Sequence, residues 1–242
     1  SDLTRLLTET TLLLSGGARV VVQYCVPDGP CQAQNRAGLC KVCSLVLRSG
    51  IPHLEDFVEV RGSILQSICD FLVDRYGDGN YRHWLSELPA ESRRHYEGKI
   101  GPSTFYPLTE ALVDPLRILL DTYYGGLPAG ARALGFYNAE KALTGFLKFV
   151  VRRGSPSFII KQANSILQKY YLPCESEVPI NEKGHAMVRI TRFDEPHLIV
   201  DYRIQGWMEK ALEVSGCSDI RLEIRRSMAR GDQVTEFEAT WS

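Results

Sequence analysis

The apolar residues Leu3, Leu6, Leu7, Leu13 and Leu14 recur at helical spacing, and Gly16-Gly17 predicts the end of that helix. The next segment, ARVVVQY, is a run of β-branched residues and predicts a strand. VPDGPCQAQNRAG reads as a turn-rich loop and KVCSLVLRSG as a further strand, so residues 1–60 form a helix–strand extension with a cysteine-rich loop. From RGSILQSICDFLVDRYGDGNY onward the period lengthens: Ile64, Leu65, Ile68, Leu72 and Tyr76 share one helical face, and Gly77 closes it. NYRHWLSEL predicts a short helix built on Trp84 and Leu85, and PLTEALVDPLRILLDTYYGG a longer one that Pro115 kinks or divides. Two more follow, PAGARALGFYNAEKALTGFLKFVVRRG and SPSFIIKQANSILQKYY, the second with Ser155 as its cap and Pro156 at its first position. The helical layer ends at Pro173.

SEVPINEKGHAMVRITRF then alternates about a turn at Gly184, which predicts a hairpin, and PHLIVDYRIQGWMEKALEVSG returns to helical periodicity as far as Gly216. In the last stretch Ile220, Leu222 and Ile224 alternate with Arg221, Glu223 and Arg225, and Phe237, Ala239 and Trp241 with Glu236, Glu238 and Thr240. These predict two strands joined through Gly231-Asp232, with opposite charges facing each other on a solvent side where Glu236 and Glu238 serve solubility. The expected architecture is α/β of the α+β type, a helical layer packed on a small antiparallel sheet with an N-terminal α/β extension, divided into residues 1–60 and 61–242.

Composition narrows the function. The 28 Lys and Arg against 29 Asp and Glu give a net charge of -1, which argues against nucleic acid as a partner. No run approaches the ~20 apolar residues of a bilayer span, so no membrane insertion is expected and the chain reads as cytoplasmic. Of the 7 cysteines, Cys25, Cys31, Cys40 and Cys43 are bunched with the spacing Cys-x5-Cys-x8-Cys-x2-Cys. Four thiolates so placed can complete a tetrahedral zinc site, with an iron–sulfur cluster a lesser fit. Two other readings stand beside it: Cys25 and Cys43 as small buried residues, and Cys40 with Cys43 as a redox pair. Arg152 and Arg153, just before the helix that starts at Pro156, are placed either to hold an anion with that helix's N–H groups or to complement the preceding helix's dipole. Tyr106, Tyr123, Tyr124, Phe136, Tyr137 and Phe146 make the middle of the chain aromatic, as pocket lining or as core. Tyr106, Tyr137, Arg152 and Arg153 are the candidate ligand-binding set. His83 and His95 have no partner at a spacing that makes a metal or acid–base site.

RGSILQSICDFLVDRYGDGNYRHWL, IQGWMEKALEVSG and RGDQVTEFEATW, with Gly206, Gly216, Gly231, Asp232 and Trp241, resemble the superfamily shared by H-NOX haem domains, 4-vinyl reductase domains and TRAPP vesicle-tethering subunits, closest to a bacterial branch. The resemblance spans residues 60–242 and implies that fold, with a homodimer formed through the helical layer. The glycines also have a plain structural reading: Gly206 lets another element pack against its helix backbone, and Gly216 ends that helix. An H-NOX haem sensor needs a proximal histidine on a helix and a Tyr-x-Ser-x-Arg clamp, and the segments from 107 to 172 contain no histidine, so haem-based gas sensing is disfavoured. The expected function is a non-enzymatic regulatory, sensory or adaptor protein that binds a small ligand or a protein partner. A zinc- or redox-responsive sensor working through the Cys25–Cys43 loop is the alternative.

Overall fold

A computed structural model describes residues 57–126, 128–143 and 156–242, and the backbone of two strands at 7–13 and 19–25. The chain divides into two compact units, Ser1–Leu54 and Glu55–Ser242. In the first, β1 (Leu7–Leu13) pairs antiparallel with β2 (Arg19–Cys25), from Leu7 opposite Cys25 to Leu13 opposite Arg19. β2 is the strand expected of ARVVVQY. β1 replaces the expected helix: LTETTLL holds three β-branched threonines, and a ladder with β2 along its whole length pairs the backbone groups on its inner edge, which together outweigh the spacing of the leucines. KVCSLVLRSG and the loop bearing Cys31, Cys40 and Cys43 lie outside the described residues.

The second unit opens with β3 (Glu59–Arg61) and α1 (Gly62–Tyr76). Ile64, Leu65, Ile68 and Leu72 are buried on one face of α1, as their spacing requires, and Gly77 ends it at φ 82°. α2 (Asp78–Glu87) buries Trp84, whose indole N–H donates to the Pro115 carbonyl at 3.1 Å. α3 (Ala90–Arg93) and β4 (Phe105–Pro107) follow. The next helix is divided as Pro115 predicts: a π-helical turn at Thr109–Val113 absorbs the irregularity, and α4 (Asp114–Tyr124) carries the proline in its first turn. α5 (Pro128–Ala142) comes next. The expected helix over SPSFIIKQANSILQKYY begins at Pro156 but breaks at Gln162 into α6 (Pro156–Lys161) and α7 (Ala163–Tyr170). β5 (Tyr171–Leu172) then joins β3 and β4 in a small sheet of order β4-β3-β5.

The C-terminal half supplies β6 (Glu175–Glu182), β7 (His185–Arg192), α8 (Leu198–Val214), β8 (Arg221–Arg226) and β9 (Thr235–Thr240). Gly184 makes the expected β6–β7 turn at φ 76°, and the antiparallel order is β6-β7-β9-β8. Because β9 sits between β7 and β8, Glu236 is not a solvent residue: it is 6% exposed and accepts from Arg189 Nε at 2.7 Å. Glu238 behaves more nearly as expected, taking ion pairs from Arg225 and His185. Helices and sheet share a main apolar core running from Val58 to Ala239, and Ala139, Leu143 and Ala211 form a small second cluster.

Three of the places that fix α8 to its surroundings lie on its buried residues. Gln205 Nε2 donates to the Leu222 carbonyl at 2.6 Å, and the buried Asp201 accepts from Ser227 Oγ at 2.6 Å. The third place is a crossing with α5 that has no side chains between the backbones. A Cβ on Gly206 would lie 1.9 Å from the Arg132 carbonyl oxygen, and a Cβ on Gly135 would lie 1.9 Å from that of Arg203. The close packing expected at Gly206 is therefore real, and Gly135 supplies its counterpart.

Candidate functional site

An apolar cavity lies between α6–α7, the sheet and α8. Its floor is a notch in the sheet: Ala186 on β7 and Ala239 on β9 are cross-strand partners, and both line it. Ala163 and Ala211 bring the alanines in the wall to four, and small residues at facing positions leave volume that larger ones would fill. Ile160, Leu167 and Tyr170 cover it from α6 and α7. The cavity volume is about 750 Å³ with its open mouth included, and little of it is wide enough for a water molecule, so it is a narrow slot.

α8 forms the remaining wall with Arg203, Ile204 and Trp207. Val200, Ile204 and Ala211 mark the buried stripe of this helix, and helical spacing puts Arg203 and Trp207 on the same side. Arg203 is 2% exposed. Its Nη1 donates to Tyr171 Oη at 2.7 Å, while Nε and Nη2 are buried without an acceptor. The indole Nε1 of Trp207 is likewise buried and unpartnered. Burial pushes the Tyr171 and Tyr170 hydroxyls above the ordinary tyrosine range, with Arg203 acting in the opposite sense. Both therefore stay neutral phenols.

Of the candidate residues named from sequence, Tyr106 and Tyr137 lie elsewhere. Tyr106, on β4, accepts from the Gly101 N–H at 3.0 Å and packs edge-on against His95. Tyr137, on α5, donates to Asp74 at 2.5 Å beneath Lys141, which also reaches Asp74, and burial with that carboxylate pushes its hydroxyl up to about 12. Neither lines the apolar cavity. Arg152, Arg153, Cys31, Cys40 and Cys43 are outside the described residues, as is the side chain of Cys25. Among the described residues no three metal-ligating side chains converge. Arg203 could have been found in DYRIQGW, where a charge falls on the apolar stripe of a helix.

No protein-family model matches the sequence, and no curated protein matches it. Solved structures do. An H-NOX protein from S. oneidensis in the Fe(II)NO ligation state superposes with a TM-score of 0.60 at 11% identity, over 75% of this chain and 99% of that one. The Fe(II) unliganded H-NOX protein from K. algicida gives 0.57 at 12% identity over 75% and 96%. A mutant of the T. tengcongensis H-NOX gives 0.54 at 15% over 75% and 97%. The fold is H-NOX-like.

Haem does not fit the cavity of this H-NOX-like fold. Among the described residues its lining offers neither imidazole nor thiolate, and its two phenols are held neutral by burial, so these residues supply no strong axial donor. The described histidines are engaged or placed elsewhere: His185 pairs with Glu238, His197 caps α8 by accepting from the Ile199 N–H, His95 lies against Tyr106, and His83 is exposed on α2. Among the described residues, no helix is long and apolar enough to cross a membrane.

Proposed function

We propose that the 55–242 unit is a sensory or regulatory module that binds a small, largely apolar ligand in the slot between α6–α7, the sheet and α8. The observation that carries this is the alanine-walled slot in an otherwise close-packed core, since protein interiors leave few voids larger than a water molecule. The H-NOX-like fold supports a sensory ligand-binding role, here with a molecule that needs no axial donor. Occupancy would be reported to a second copy of the chain or to a protein partner. The homodimer rests on the family resemblance and is checked by light scattering on the purified protein.

The test is titration with 1-octanol, followed by thermal unfolding and by tryptophan fluorescence. Binding raises Tm with ligand concentration and changes the emission of Trp207. In a Trp207→Phe variant the fluorescence response disappears while the Tm response stays. A flat Tm across the titration would refute the cavity as a ligand site.

A further inference from the structure

We propose that the ligand of this slot is an apolar chain ending in a carboxylate, with the head received by Arg203 and Trp207. The inference rests on the slot being a ligand site and adds the ligand's chemistry. Arg203 carries a permanent charge into the core at 2% exposure, and among the described residues no carboxylate pairs with it. A buried cation without a counter-ion is strongly unfavourable, so the site is incomplete in its charge.

The pattern of filled and empty donors identifies the missing group. Nη1 is taken by Tyr171, and the two unpartnered nitrogens, Nε and Nη2, form the side edge of the guanidinium. That edge presents two parallel N–H bonds, the arrangement a carboxylate accepts with both oxygens. Trp207, one turn further along α8, adds a third N–H without an acceptor. A neutral alcohol or amide can accept hydrogen bonds here but leaves the charge unbalanced. Apart from Asn138 and the phenols of Tyr170 and Tyr171 the rest of the wall is apolar, and the space is narrow, which suits a linear chain better than a flat macrocycle.

The experiment compares octanoate with 1-octanol by calorimetry at neutral pH, on the wild-type protein and on Arg203→Met, which keeps the stem and removes the charged fork. The wild type binds octanoate at least about tenfold more tightly than octanol, the usual worth of a charge-assisted pair in a buried site. Arg203→Met loses this preference and binds octanoate no more tightly than octanol, with Tm no lower than wild type, because the charge it removes has no counter-ion in the ligand-free protein. Equal affinities in the wild type, or an octanoate preference that survives Arg203→Met, overturn the carboxylate. The wild-type comparison stands even if the variant does not fold. If neither compound binds the wild type, the slot is not a ligand site and both proposals fall; if octanol binds and octanoate does not, only this one does.

Discussion

Gly206→Ala tests the crossing that positions the ligand wall. The new Cβ would sit 1.9 Å from the Arg132 carbonyl oxygen against an ordinary contact beyond 3.4 Å, so α5 and α8 must part by about 1.5 Å. Overpacking of this kind costs about 3 kcal/mol, at the upper end of the usual range because the obstacle is backbone and cannot swing aside. Alanine returns about 1 kcal/mol through its better helix propensity. The net loss of about 2 kcal/mol lowers Tm by about 4–8 °C in a unit of this size. Gly79→Ala is the internal control: the same substitution in α2, where a Cβ meets nothing within 4 Å, leaves Tm unchanged or raises it. Differential scanning calorimetry of the two variants decides the matter. Equal shifts of the same sign would mean that the helices are not in backbone contact, and the account of how α8 is held would be wrong.

Three further outcomes are expected. Ala186→Leu fills the notch opposite Ala239, so ligand-free protein gains about 1 kcal/mol in urea unfolding while octanol binding is lost. Burial raises the Asp201 carboxyl to about 6, partly offset by Ser227; its contribution to stability is therefore present below the unfolded pKa near 4 and is lost as pH rises through 6. Asp201→Asn accordingly gains on wild type by up to about 3 kcal/mol between pH 4 and pH 7, and a difference independent of pH would contradict the burial of a titrating Asp201. Burial and then Arg117 lower the His197 pKa, so its cap contributes stability above the ordinary histidine pKa and loses it as pH falls through the depressed value; His197→Ala costs about 1 kcal/mol at pH 8, shrinking in acid.

Elements with one strongly apolar face were legible in the sequence. Ile64, Leu65, Ile68 and Leu72 gave α1, Pro115 gave the division of its helix, and Gly184 gave the β6–β7 turn. Leucine spacing misled at β1, where three threonines and a pairing partner in β2 decided the outcome. Strand order was equally hidden: alternation shows that Glu236 points opposite to Phe237, but not that β7 and Arg189 lie beside it. The candidate site was less legible still. Tyr106 and Tyr137 read as pocket hydroxyls, yet Tyr106 is taken up by Gly101 in the segment just before its own strand, and Tyr137 by Asp74 on a helix that no spacing rule connects to it. Arg203 carried a signal of its own, a charge at a core position of α8, which residue-type searches for catalytic or metal-binding groups pass over.

The bare-backbone crossing of α5 and α8 has a mechanical consequence. Two helices touching carbonyl to glycine have no side-chain cushion to compress, so that side of the slot is a fixed jaw. The opposite jaw is built differently, from two short helices interrupted at Gln162. Room for a guest must therefore be made by α6 and α7 moving away from α8, which turns the size of the guest into a displacement of one identifiable surface of the protein.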